Sequence, residues 1–519
     1  MSMLFRNLSL AFAIYLVSSV SILAETKDIV ILHTNDIESV YDPVEAYWRD
    51  DIDMMGGIPY LATLIHKTRA QEPISFLMDA GDIYTGALSK KSEGKLPFDL
   101  YSAMGYDVMT IGNHEFEYGW KSLMETMPRA SFPVLNANIV YQGTEIMYGQ
   151  PYAIIEQHGI RIGVVGVMGI DAFQNTIATF QRTGLAIKDP IATAQYWVDK
   201  IRTDVNMIVV LTHQNKTAPM QTNKEANPSV QRGFDEDYEM AGKLRGVDAI
   251  FGGHSDNGLL EPVVHPETGT VIGLTFGQGM HLGYTKFRVD TSGHNVTYLG
   301  GKLIPVDATS LSADPVTAAL IAKQRELNPA LKEQVTQLTS AAVRQYNKES
   351  NIGNLLTDFM RNAGGSDITF LNSGAIRADL NRGVVTVENL TNTYPFIDNL
   401  TIVELTGTQV RELIEYSLTL PYGIGQVSGL EITYDSRLPA MQRILSIMHD
   451  GEPLDSQAKY SVGTTAFVAN GGDGYAVFTQ GKVMDDSIPM IGLFHQQFKS
   501  SESITPPDLG RQIDISRLH

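Results

Sequence analysis

The stretch Ile29-Val30-Ile31-Leu32-His33-Thr34-Asn35-Asp36-Ile37-Glu38 decides the fold class. Four apolar residues, three of them β-branched, run straight into a polar segment that carries two carboxylates, which reads as a buried strand ending in a functional turn. The same grammar recurs up to about residue 290, at Ile74–Met78, Val108–Ile111, Ile162–Val167, Met207–Leu211 and Val247–Phe251. Segments with helical spacing lie between several of these runs, at Ile58–Thr68 and Ala192–Arg202. Strands alternating with helices predict an α/β layered domain. After Pro305 the pattern changes to a helix-prone stretch, Asp314–Glu333, with Pro315 near its start, and this is expected to be a linker helix. A second domain is expected from near Ala341, with a helix over Ile352–Asn362, a strand over Ile368–Leu371 and a strand-helix pair over Thr401–Leu418. No internal repeat or low-complexity tract interrupts this plan.

Bulk composition narrows the function. A chain of 519 residues, 43% hydrophobic and 19% charged, can bury two or three cores. The net charge of -19 argues against a nucleic-acid polymer as partner, because non-specific attraction to phosphate would be reversed in sign. An anionic substrate must therefore meet local positive charge from metal ions, arginines or backbone N–H groups. Arg6, an apolar run over Leu8–Leu23 and Ala24 come in the order of an export signal, so residues 1–24 are expected to be a signal peptide. There is no cysteine, which excludes disulfides and thiolate ligands, and export without disulfides fits a bacterial periplasm. The C-terminal residues form no apolar tail, so a soluble mature protein without a membrane anchor is expected; oligomeric state is not legible.

Polar residues gather where the strands end: Asp36 and Glu38, Asp79 and Asp82, Asn113 and His114, His213, then His254 and Asp256. That edge is where open α/β folds bind ligands. One strand-end Asp or Asn is ordinarily a turn or a helix cap. Five such clusters in succession suit two adjacent divalent ions with a bridging carboxylate, able to hold both the attacking and the leaving oxygen of phosphoryl transfer. Gly81, Gly112, Gly252 and Gly253 would allow close approach beside them.

Read together, His33-Thr34-Asn35-Asp36, Asp79-Ala80-Gly81-Asp82, Gly112-Asn113-His114-Glu115-Phe116, Thr212-His213 and Gly252-Gly253-His254-Ser255 resemble the 5′-nucleotidase family of calcineurin-like metallophosphatases. The second half joins the resemblance through Asn351-Ile352-Gly353-Asn354-Leu355, Asn372-Ser373-Gly374-Ala375-Ile376-Arg377, Pro395-Phe396 and Asn470-Gly471-Gly472-Asp473-Gly474-Tyr475. It implies a four-layer α/β/β/α metallophosphatase domain over residues 25–310, a linker helix over 311–338, and a C-terminal α/β substrate-binding domain over 339–519. It also implies a secreted hydrolase in which a metal-bound water attacks the phosphorus of a small nucleotide. One ion would be held by Asp82, Asn113, His213 and His254, and the other by Asp36, Glu38, Asp82 and Asp256. His114 would be the catalytic histidine, with Glu117 as its partner. Asn372, Arg377, Phe396, Phe467 and Asp473 would bind phosphate and base.

The chain departs from the family pattern at position 38, usually histidine, and at 256, commonly a neutral ligand. Both departures add a carboxylate, so manganese or magnesium is expected over zinc at that half of the site. A further phosphate-holding arginine is replaced by Tyr346, with Arg344 two residues earlier. Relatives that act on 2′,3′-cyclic nucleotides, UDP-sugars or nucleoside di- and triphosphates, a branch that cleaves sulfur-containing groups, and a non-catalytic nucleotide- or metal-binding protein are the alternatives. His33, His158, His265 and His281 are expected to serve core or loop roles.

Overall fold

The decisive stretch forms the strand Thr26–Thr34, near the centre of the first of two six-stranded sheets in this computed structural model. The structure describes residues 25–46, 48–218, 223, 227–420 and 423–517, and the expected export signal lies outside them. Alternation along the strand sorts its side chains. Ile29 and Ile31 point into a core shared with the second sheet, and Val30 and Leu32 pack under helices on the other face. The strand Met207–His213 of the second sheet mirrors it: Met207, Val209 and Leu211 meet the first sheet, and Ile208 and Val210 face the outer helices. The result is a four-layer α/β/β/α domain. Its strands are covered on both faces, which is why they read as unbroken apolar runs.

The first sheet runs in the order Val296–Pro305, His281–Asp290, Thr26–Thr34, Ser75–Asp79, Val108–Thr110, Val134–Leu135. The second runs Val263–Val264, Val271–Gly273, Ala249–Gly253, Met207–His213, Ile160–Met168, Tyr152–Gln157. Parallel pairing sets Thr34 beside Asp79 in one sheet and His213 beside Gly253 in the other, so the polar strand ends share one edge of the domain. The ladder of Met207–His213 continues two residues beyond its apolar run, placing His213 inside the strand opposite Met168 rather than in the following loop.

The linker helix spans Pro315–Leu327 and is shorter than the helix-prone stretch. Asp314 caps it by accepting from the N–H groups of Val316 and Thr317, with Pro315 at its first position. It stops before Pro329, which lacks an N–H and disfavours helical backbone at Asn328; a short 3-10 turn, Pro329–Lys332, follows.

Beyond it, the five-stranded sheet Gln426–Ser428, Ile368–Leu371, Lys459–Thr465, Asn399–Thr406, Lys482–Pro489 carries the helices Asn351–Gly364 and Gly407–Thr419. Thr406 and Gln409 form a reciprocal cap at the start of the second of these. This domain folds back on the first: Ala87 N–H donates to Asn392 Oδ1 at 2.8 Å, and Arg325 of the linker helix pairs with both Asp42 and Glu388. Among the described residues no helix is long and apolar enough to cross a membrane.

Candidate metal centre

Five of the expected ligands sit at left-handed backbone positions: Asp36 (φ 52°), Glu38 (φ 49°), Asp82 (φ 62°), His254 (φ 82°) and Asp256 (φ 54°). Each such position costs a non-glycine residue about 1–2 kcal/mol, so the surrounding contacts must hold it. They do so by tying the loops to one another. Asp36 N–H donates to Gly81 O and Glu38 N–H to Asp82 O, each at 2.9 Å, and His254 N–H donates to the Asp36 carboxylate at 2.9 Å. Close approach demands glycine at two places. A Cβ on Gly112 would collide with Asp82 Oδ1, and one on Gly81 would lie 2.6 Å from Gly112 N.

His213 shows what the centre is built to hold. Its Nδ1–H donates to the Ala80 carbonyl at 2.8 Å, and a carbonyl can only accept. In that tautomer Nε2 presents a lone pair, and it lies 2.9 Å from Asn113 Oδ1 and 3.0 Å from Asp82 Oδ2. Three electron-rich atoms facing one point call for a cation. His254 joins Asp82 and His213 in one candidate ligand group, its ring 5.0 Å from that of His213. Burial lowers the His254 pKa to about 3, which keeps its ring neutral and able to ligate. For His213, burial opposes the charged form but the Asp82 and Asp36 carboxylates prevail and raise the pKa to about 9. The negative field that draws a proton there would draw a divalent ion in its place.

Asp36, Asp82 and Asp256 bring their carboxylates close to one another, and Glu38 lies with Asp82 and His114 in a second candidate ligand group. Burial raises the Asp36 carboxyl, with His213 opposing, and burial plus the charges of Asp36 and Asp82 push Asp256 up to about 7. Asp256 Oδ1 is shielded from solvent and has no hydrogen-bond partner among the described residues. A buried acceptor without a donor, set among carboxylates, fits the role of a cation ligand. Asp82 behaves differently: burial would raise it, but His213 and His114 hold it below the usual carboxylate range, as suits a bridging ligand.

His114 stands across this cluster. Its Nδ1–H donates to Glu117 Oε1 at 2.7 Å, and Thr85 Oγ1 donates to the same oxygen at 2.8 Å, so the ring is fixed in tautomer and tilt. Nε2 is thereby turned toward Glu38 Oε1 (3.4 Å) and Asp82 Oδ2 (3.9 Å). Burial disfavours its charged form, yet Asp82 and Glu117 raise the pKa to about 10.

The second domain closes the site. Arg377, largely buried, reaches Glu38, while Phe396 brings its ring within 6.2 Å of the His114 ring. Asn372 Nδ2 donates to Asp473 Oδ2 at 2.6 Å, and Phe467 lies over Gly472, where a Cβ would meet its ring at 2.5 Å. Arg344 donates to Tyr346 Oη and to Gln278 Oε1, each at 3.2 Å, so it sits at the seam between the domains. Asp79 takes no part: it accepts from Thr34, Tyr101 and Gly81 N–H inside the first domain. His33 and His265 are buried beside Phe251 and Tyr238, His158 lies in a turn, and His281 begins a strand next to Phe276.

Two carboxylates important to the site were not singled out in the sequence. Glu115 accepts from the N–H groups of Asp82 (3.0 Å), Ile83 (2.7 Å), Tyr84 (3.1 Å) and Gly112 (2.6 Å), and so shapes both loops that carry Asp82 and Asn113. Asp237 accepts from Thr212, Gln214 and Asn215, the neighbours of His213. Its only sequence signal was an acidic run, Asp235-Glu236-Asp237, which looks like a solvated helix start.

The family profile described as calcineurin-like phosphoesterase matches residues 29–256, and that of the 5′-nucleotidase C-terminal domain matches residues 330–480. A 5′-nucleotidase of Bos taurus is 29% identical over 89% of this chain and 86% of its own length. The crystal structure of a 5′-nucleotidase precursor from Thermus thermophilus is 25% identical, with a TM-score of 0.80 over 95% of this chain and 100% of that chain. A Thermus thermophilus sulfate thiohydrolase in complex with glycerol, 17% identical with a TM-score of 0.77 over 94% of this chain and 97% of its own, shares the fold.

Proposed function

From a chain that belongs to the 5′-nucleotidase family, and is therefore a metal-dependent phosphoester hydrolase, we propose an exported two-metal enzyme that removes phosphate from small nucleotides. The observation that carries the reading is the meeting of Asp82, Asn113, His213 and His254 with the His114–Glu117 pair on one side and Arg377 and Phe396 on the other. The proposed ligand sets are Asp82, Asn113, His213 and His254 for one ion, and Asp36, Glu38, Asp82 and Asp256 for the other. The second set is all oxygen and suits manganese or magnesium better than zinc.

When bound, the two ions would supply positive charge to the phosphoryl oxygens and acidify the attacking water. The chain's own groups do the rest. His114, oriented by Glu117, holds a proton at Nε2 for the leaving oxygen. Arg377 faces the phosphate, and Phe396 and Phe467 offer rings for the base, a contact tolerant of base identity. Asn372 and Asp473 fix the loop beside them. Export rests on the order of Arg6, the apolar run and Ala24, and a periplasmic location on that order together with the lack of cysteine.

The test is turnover of nucleoside monophosphates, 2′,3′-cyclic nucleotides, UDP-sugars and nucleoside di- and triphosphates with manganese, magnesium, zinc and cobalt. Release of phosphate or nucleoside with at least one metal is expected, and His114→Ala should lower kcat by about 10²–10⁴ with a small change in KM. Binding without turnover under every metal would replace the enzyme by a nucleotide-binding protein.

A further inference from the structure

Arg377 crosses from the second domain into the metal-ligand cluster, where a terminal nitrogen of its guanidinium meets Glu38 Oε1. Glu38 is buried there and Arg377 largely so, its side chain 13% exposed. Of the rest of the fork, one terminal nitrogen donates to Gly374 O at 3.4 Å, while Arg377 Nε and Asn372 Oδ1 of the same domain are buried without a hydrogen-bond partner among the described residues. Buried donors and acceptors are nearly always paired in native proteins, so a donor and an acceptor left over within Asn372–Arg377 point to a ligand. The ligand therefore meets an arginine already half neutralised by a residue of the other domain.

We propose that Glu38 determines substrate charge: by occupying part of the Arg377 fork, it favours a phosphorus centre with one negative charge, as in a phosphodiester, over a dianionic phosphomonoester. This rests on the phosphoester-hydrolase reading with phosphate facing Arg377. A free guanidinium can take two phosphoryl oxygens in parallel, whereas one that shares a terminal nitrogen with a carboxylate has less positive charge to offer an anion. The Glu38 carboxylate also stands beside the approaching anion, together with Asp36, Asp82 and Asp256. A phosphodiester keeps two unesterified oxygens for the arginine but carries one charge less, so it meets less repulsion.

The experiment is calorimetric binding of two probes to manganese-loaded protein above the second pKa of phosphate: inorganic phosphate as the dianion and dimethyl phosphate as the monoanion. Metal content is measured alongside, and Glu38→His serves as a second variant should Glu38→Gln load poorly. Glu38→Gln should tighten phosphate by about tenfold or more, the effect of removing one like charge at contact range, while dimethyl phosphate changes by less than about threefold. The ratio of kcat/KM for p-nitrophenyl phosphate to that for bis(p-nitrophenyl) phosphate should rise by a similar factor. Phosphate affinity that is unchanged or weaker in both variants overturns the role of Glu38. If the wild type hydrolyses neither ester, the functional reading falls instead, and the titration still decides what Glu38 does.

Discussion

Glu115 and His33 show what burial asks of single residues here. Glu115 is fully enclosed, and burial together with Asp82 pushes its carboxyl up to about 7, yet its four N–H donors make it the organiser of two ligand loops. Such a role was hidden in the sequence because backbone donors leave no mark on residue identity. His33 is the opposite case: it is as deeply buried, its Nδ1 has no partner, and its ring lies against Phe251. Burial lowers its pKa to about 3, so only the unfolded chain takes up a proton as pH falls below the ordinary histidine value. The stability this residue contributes is complete above pH ~6.5 and is lost progressively toward pH ~3, by roughly 2–3 kcal/mol at pH ~4.5. Metal-free urea titrations of wild type and His33→Leu should therefore diverge in pH dependence below pH ~6.5, the variant losing less. Parallel curves would mean that the ring is solvated or paired.

Strands and helices do the work of aiming the ligands. The apolar runs named six strands, five of which lead into the site, and the polar residues after those five named its loops. What those runs left out was the extension of Met207–His213 by two polar residues, because a ladder continues wherever neighbouring backbone is in register, whatever the side chain. The linker helix was legible through Asp314 and Pro315 at its start, and its early end follows from Pro329. Asp314 Oδ1 accepts from Val316 N–H, Thr317 N–H and the Thr317 hydroxyl at 2.9–3.1 Å. Asp314→Ala should cost about 1 kcal/mol in denaturant unfolding, whereas Asp314→Asn should cost a few tenths. Equal losses would show that charge rather than capping is at stake.

For the whole molecule, the ligand cluster belongs to the first domain, and Arg377 and Phe396 reach it only because the two domains meet. Arg325 ties the linker helix to Asp42 of the first domain and to Glu388 of the second, and Arg377 meets Glu38 across the same boundary. Arg325 is partly buried, and its two carboxylates raise its pKa against the opposing effect of burial. Arg325→Gln removes both charge pairs and should loosen the closed arrangement: small-angle scattering at low ionic strength should show a larger radius of gyration, and wild type should approach it as salt is added. A variant whose scattering matches the wild type at every salt concentration would show that the domains are held by other contacts.

The sequence by itself determined the layered α/β class, the strand ends that carry chemistry and the residues that match the family, since these depend on local periodicity and on residue type at fixed spacing. Only the tertiary structure decided which atoms face one another: that Asp256 Oδ1 has no hydrogen-bond partner among the described residues, that Glu115 and Asp237 support the ligand loops, and that Glu38 meets an arginine more than three hundred residues away. Local patterns report how a segment is covered. Contacts between distant side chains depend on how covered segments are brought together, and burial then makes each of those contacts strong.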